Sequence, residues 1–222
     1  MLSIFDVIGP VMIGPSSSHT AGAARLARVA RALTGNHPFT HVSFGLHGSF
    51  HDTYLGHGTD KALLAGALGI REDDEAIRDA PALAQEARVT YDYYRAALED
   101  VHENSVQITF HLEGGPQFTV VGSSVGGGQI VIRRVGALET EFTANLPTLL
   151  VQHLDRRGMI SDISSLITGA GINIAVMRYS RKGKGGLACC IAEVDEPIPA
   201  IVVETIAGLP DVYSAQTVDL AH

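Results

Sequence analysis

Residues 148 to 160 read Thr148-Leu149-Leu150-Val151-Gln152-His153-Leu154-Asp155-Arg156-Arg157-Gly158-Met159-Ile160. An apolar strand-like run gives way to a charged turn closed by glycine, and a helical pattern follows. Ile160, Ile163, Leu166 and Ile167 recur at i, i+3, i+6 and i+7, one face of a helix. Gly169 and Gly171 stop it, as residues tolerant of left-handed backbone do. Ile172 to Ser180 and Leu187 to Val194 make a hairpin around Arg181-Lys182-Gly183-Lys184-Gly185-Gly186. A short helix from Ile198 to Ala207, opened near Pro197, precedes a last alternating strand, Asp211 to Val218. The order βαββαβ over about 75 residues is the split βαβ, ferredoxin-like motif.

That segment, residues 148–222, resembles an ACT domain, a small module that binds amino acids at paired interfaces. The resemblance rests on the element order, the turn Leu154-Asp155-Arg156-Arg157-Gly158-Met159-Ile160 and the phrase Gly171-Ile172-Asn173-Ile174. It implies an amino-acid effector near Gly158 and Asn173 and a homo-oligomer formed through this domain. A dimerisation element without a ligand fits the same pattern.

Upstream, residues 1–143 read as an α+β domain. Leu26, Val29, Ala30 and Leu33 form one apolar stripe after Ser16 to Thr20. Val42, Phe44 and Leu46 alternate with polar positions, as in a half-buried strand. Thr59 or Asp60 is expected to cap a helix reaching Leu68, and residues 73–99 to hold a helical stretch interrupted at Pro81. Val106 to Phe110, Gln117 to Val121 and Gln129 to Arg133 read as strands. The join falls near Thr143-Ala144-Asn145-Leu146-Pro147.

Composition narrows the function classes. The chain has 222 residues, 45% hydrophobic and 18% charged, which is globular. Its net charge of −8 argues against nucleic acid, whose phosphates demand a basic face. No apolar run approaches the roughly 20 residues that span a bilayer. The start, Met1-Leu2-Ser3-Ile4-Phe5-Asp6, lacks the basic region of a signal peptide, so a cytoplasmic protein is expected. The two cysteines, Cys189 and Cys190, are adjacent. On a strand they point to opposite faces, which excludes a cluster built wholly from cysteines of this chain. The three lysines, Lys61, Lys182 and Lys184, offer little to pyridoxal chemistry, because the last two sit in the glycine turn.

Four features carry possible chemistry. Gly14-Pro15-Ser16-Ser17-Ser18-His19-Thr20 places four hydroxyls and a histidine at a helix start, where free N–H groups favour a carboxylate or phosphate. An ordinary N-cap explains one such hydroxyl equally well. In Gly56-His57-Gly58-Thr59-Asp60, a loop histidine beside a helix start suits a general base, with Asp60 to orient it. His37, His41, His47, His51 and His57 fit no zinc motif, and no metal is expected to bind them. Ser123-Ser124-Val125-Gly126-Gly127-Gly128 permits a close backbone approach to a ligand or forms a bulged hairpin, and it is no dinucleotide fingerprint.

Together with Ile4-Phe5-Asp6-Val7-Ile8-Gly9-Pro10, Gly48-Ser49-Phe50 and Lys61-Ala62, these phrases resemble the beta chain of the iron–sulfur-dependent L-serine dehydratases, or L-serine ammonia-lyases. The N-terminal domain of that family is also similar to the allosteric substrate-binding domain of some phosphoglycerate dehydrogenases. The resemblance implies a lyase that converts L-serine to pyruvate and ammonia with a partner alpha subunit. The alpha subunit holds a 4Fe-4S cluster whose open iron acts as Lewis acid on the hydroxyl. No metal ligand is carried over to this chain. Ser16, Ser17, Ser18 and Thr20 are implied substrate contacts, His57 the base and His19 its rival. The competing class is a non-catalytic regulatory subunit that binds an amino acid. A metal-free hydrolase ranks third, because no G-x-S-x-G elbow is present.

Overall fold

A computed structural model describes residue 14 and residues 16–220. The phrase Ile4 to Pro10 and residue Pro15 lie outside the described residues. The chain divides into two compact units, 1–136 and 137–222.

In the first unit a single π-helical turn, Ser17–Gly22, runs straight into α1, Ala23–Leu33. β1 (Phe39–His47), α2 (Gly48–His57), α3 (Thr59–Ala67), a 3-10 turn (Glu75–Asp79) and α4 (Ala80–Glu86) follow. The remaining strands are β2 (Thr90–Arg95), β3 (Ser105–Leu112), β4 (Gln117–Gly126) and β5 (Gln129–Val135), in sheet order β2-β1-β3-β4-β5. β1 and β2 are parallel, and the other neighbours are antiparallel.

The apolar stripe of α1 (Leu26, Val29, Ala30, Leu33) and the alternating Val42, Phe44 and Leu46 of β1 are fully buried. α1 and α3 pack so closely that a Cβ on Gly66 would lie 2.1 Å from the Ala24 carbonyl oxygen.

The structure corrects three expectations. Residues 90–95 form β2 rather than helix, because the tyrosines of Tyr91-Asp92-Tyr93-Tyr94 favour a pleated surface. Tyr93 stacks on Phe44 at 5.2 Å and donates to the Asp60 carbonyl at 2.7 Å. Pro81 lies in the first turn of α4, where its missing N–H is harmless, rather than interrupting a helix. Neither Thr59 nor Asp60 caps α3. Its N-cap is Gly58, left-handed at φ 68°, the one residue between α2 and α3.

The second unit opens with β6 (Leu138–Phe142) and continues β7 (Thr148–Leu154), α5 (Met159–Gly169), β8 (Ile174–Arg181), β9 (Leu187–Val194), α6 (Ala200–Ala207) and β10 (Val212–Val218). Its four-stranded antiparallel sheet runs β10-β7-β9-β8, the ferredoxin-like order that the βαββαβ pattern requires. The fold is therefore the expected α+β class. Leu149, Val151, Met159, Ile163, Ile167, Cys190, Ala192 and Ile206 form the core. Met159 takes the buried place anticipated for Ile160, which is 46% exposed, because the row that faces the core is Met159, Ile163 and Ile167, at i, i+4 and i+8. Among the described residues, no helix is long and apolar enough to cross a membrane.

Candidate functional site

The site of the first unit grows from the π turn. Ser16 is extended, and its Oγ accepts from the His19 N–H at 3.1 Å, so one serine does act as a cap. Single π turns recur at functional sites because they displace side chains from ordinary helical positions. His19 Nε2 meets Ser49 Oγ at 3.1 Å and Nδ1 lies 3.4 Å from Ser16 Oγ, so both ring nitrogens face hydroxyls. The His19 ring meets Phe50 edge-on at 5.3 Å and the His57 ring at 4.7 Å. Burial, then the neighbouring His57, hold His19 below the usual histidine value of 6.5, and the hydrogen bond at Ser49 opposes them. His19 is neutral at pH 7.

His57 does not lie in an exposed loop, as its flanking glycines suggested. It is the last residue of α2, half-buried, with Nδ1 shielded from solvent and unpartnered. Thr20, buried, donates from Oγ1 to the His57 carbonyl at 3.1 Å and so pins the end of α2 to the π turn. Asp60 offers its carbonyl to Tyr93, and no hydrogen bond from its carboxylate to His57 is present among the described residues.

A cleft of about 330 Å³ opens here, lined by Gly14, Thr20, His57, Asp60, Lys61 and Arg78 among others. Of the expected site residues only Thr20 and His57 line this cleft; Ser16, Ser17, Ser18 and His19 do not, and Ser17 and Ser18, half-buried in the π turn, make no side-chain hydrogen bond among the described residues. The fold thus gathers Ser16, His19, Thr20, Ser49 and His57 from two segments about 30 residues apart, with Ser17 and Ser18 beside them.

Asp60, Lys61 and Arg78 had no assigned role at the cleft wall, or only that of an orienting or capping group. Lys61 stood inside the quoted His57 phrase, whereas Arg78 comes from the separate 3-10 turn and left no signal. Gly126, Gly127 and Gly128 all adopt positive φ in the bulged β4–β5 hairpin. The neighbouring Ser124 packs against Gly22, where a Cβ would come within 2.1 Å of its Oγ. The histidines upstream of His57 do not converge. His41 pairs with Asp92 at 2.8 Å and His47 with the Ala96 carbonyl at 3.3 Å. Among the described residues, no group of three His, Cys, Asp or Glu is placed to hold a metal.

In the second unit Gly158, left-handed at φ 87°, caps α5 beside a cleft of about 570 Å³ lined by Asp155, Arg156, Arg157, Ser161, Tyr179 and Arg181. Asp155 accepts from Tyr179 Oη at 2.7 Å, Arg181 at 2.8 Å and the Gly185 N–H at 3.0 Å. These bonds, Tyr179's first, hold its carboxyl down at about 2. Asn173 does not line this cleft. It precedes β8, whose far end carries Arg181, and its side chain donates to Asp195 at 2.7 Å.

A cleft lined by His57, Thr20 and three charged side chains on an α+β unit, followed by a ferredoxin-like unit, defines a two-part chain. The family model for the serine dehydratase beta chain matches residues 3–93. The chain is 38% identical over 219 residues to the L-serine dehydratase beta chain of Peptoniphilus asaccharolyticus, covering 98% of each. It is 40% identical over 210 residues to the probable L-serine dehydratase beta chain of Bacillus subtilis, covering 95% of this chain and 94% of the other. The chain belongs to the serine dehydratase beta chain family. Among solved structures, the ACT domain of a Chlorobium tepidum GTP pyrophosphokinase overlaps 32% of this chain and 95% of its own, at 15% identity and a TM-score of 0.29. The ferredoxin-like topology stands on the strand order alone.

Proposed function

We propose that this chain is the beta subunit of an L-serine dehydratase, supplying the base-bearing wall of an active site that it shares with an alpha subunit. The observation that carries this reading is the placement of His57 on the cleft beside neutral His19, in a chain alike in sequence to named beta chains over nearly its whole length. His57 takes the α-proton of serine and His19 positions the turn, since both nitrogens of His19 face serine hydroxyls. Of the proposed substrate contacts, Thr20 lines the cleft, and Ser16, Ser17 and Ser18 stand on the same turn. Loss of the α-proton and the hydroxyl leaves an enamine, which tautomerises and hydrolyses to pyruvate and ammonia.

The described residues of this chain do not fit a 4Fe-4S cluster. Cys189 and Cys190 point to opposite faces of buried β9, and burial pushes their thiols up to about 12 and about 11. The cluster therefore belongs to the alpha subunit in this proposal. In the second unit, an amino-acid effector at a homo-oligomer interface would lie near Gly158 and Asn173.

The test is reconstitution with the alpha subunit under anaerobic conditions, followed by assay of pyruvate from L-serine. Wild-type turnover that survives His57→Ala at full kcat overturns the base assignment. Variants of residues 16–20 and 57 that change only regulation, not turnover at saturating serine, favour the regulatory reading instead.

A further inference from the structure

We propose that the cleft beside His57 recognises the zwitterion of a small α-amino acid, with Asp60 taking the ammonium group and Lys61 and Arg78 taking the carboxylate. The inference rests on the reading above. It adds the residues that would distinguish an amino acid from other small hydroxy compounds.

Three charged residues line the cleft, Asp60 half-buried and Lys61 and Arg78 exposed. Asp60 and Lys61 come from the first turn of α3 and Arg78 from the 3-10 turn Glu75–Asp79. Their neighbours have protein partners: Arg28 pairs with Glu72 at 2.6 Å and Arg71 with Asp73 at 3.0 Å. Among the described residues, the charged groups of Asp60, Lys61 and Arg78 make no hydrogen bond or ion pair. Acidic residues outnumber basic ones 24 to 16 in this chain, so two cations left unpaired beside a cleft are not a surplus of positive charge. Arg78 in particular lies among acidic residues of its own segment, Asp74, Glu75 and Asp79, and pairs with none of them.

The helix direction sharpens the point. A carboxylate in the first turn of a helix is favoured by the backbone dipole and a lysine there is not. Asp60 needs no further explanation, whereas Lys61 sits against the dipole and gains from an anion at the same place. A bound carboxylate would meet Lys61, Arg78 and the positive end of α3 together.

The geometry of an amino acid then does the rest. Its Cα is one bond from both the ammonium nitrogen and the carboxylate carbon, so fixing both groups fixes the α-proton. His57 lies on the same cleft, three residues before Asp60. Thr20 gives its hydroxyl proton to the His57 carbonyl and forms the wall behind.

The test has two arms. In the alpha–beta complex, Asp60→Asn and the double variant Lys61→Gln/Arg78→Gln should each raise KM for L-serine at least about tenfold, the loss of one bond to a charged group. The changes in kcat should be smaller, and Asp60→Glu and Arg78→Lys should recover part of the loss. An unchanged KM in both charge-removing variants, with the wild type turning over serine, overturns the inference and leaves the reading above intact. In the full chain alone, the His57 imidazole resonance should move on titration with L-serine. It should move much less with L-serine methyl ester, which lacks the carboxylate, or L-glycerate, which lacks the ammonium group. Equal response to all three overturns the inference even if the complex shows no turnover.

Discussion

In the cleft beside His57, Asp60, Lys61 and Arg78 have no protein partner for their charges among the described residues. In the cleft beside Gly158, by contrast, Asp155 collects three donors, and Arg156 bridges Asp162 at 2.9 Å and Asp211 at 3.2 Å. The residue types are alike and their use is opposite. Charges satisfied within the protein fix a loop, and charges paired only with water at a cleft are free to meet a ligand. The first cleft is accordingly the one proposed for chemistry, and the second is a braced loop at which an effector would have to compete with internal bonds.

The largest effect that separates the two falls on turnover. His57→Ala should lower kcat of the reconstituted enzyme by about 10²–10⁴-fold, the usual contribution of a positioned acid–base group. Stopped assays of pyruvate would measure it. A second, structural test concerns the packing beneath the braced loop. Ile163 is fully buried in the core under α5, and Ile163→Ala should cost about 2–5 kcal/mol in urea unfolding followed by circular dichroism.

Asp155→Asn tests the bracing itself. The folded-state value of about 2 lies below the ordinary 3.8, so the carboxylate stabilises the fold above pH 3.8 and that stability is lost as pH falls through about 2. The variant should melt earlier than the wild type at pH 7, and the gap between the two melting curves should close across that acid window. A constant gap would place the effect elsewhere.

The smallest effect concerns His19. Titrated by NMR in the full chain, it should have a midpoint below 6.5, and His57→Ala should raise it by removing the neighbouring ring that disfavours the charged form. The unfolded chain takes up a proton at His19 before the folded one does. This histidine therefore subtracts stability as pH falls from 6.5 toward its folded midpoint.

Local pattern made the second unit readable almost completely. Its strands alternate with period two, its helix repeats with the helical period, and glycines mark the turns, so βαββαβ follows from neighbours in the chain. The error at Ile160 came from choosing the i, i+3 row where the packed row is i, i+4, which turns Met159 inward and Ile160 outward. In the first unit the motif residues were legible as types, but the strand at residues 90–95 was not. Its parallel pairing with β1 joins segments some 50 residues apart, and only packing decides such a contact.

By itself, then, the sequence determined the α+β class, the ferredoxin-like second unit and the family resemblance, and it singled out His19 and His57 as candidates, because each is written in local spacing and residue type. Only the tertiary structure decided that His57 closes a helix instead of sitting in a loop, that His19 is held between two serines, and that Asp60, Lys61 and Arg78 share a wall with His57. Those relations depend on where the π turn, α2, α3 and the 3-10 turn pack against one another. Burial and electrostatic field exist only once distant segments have met.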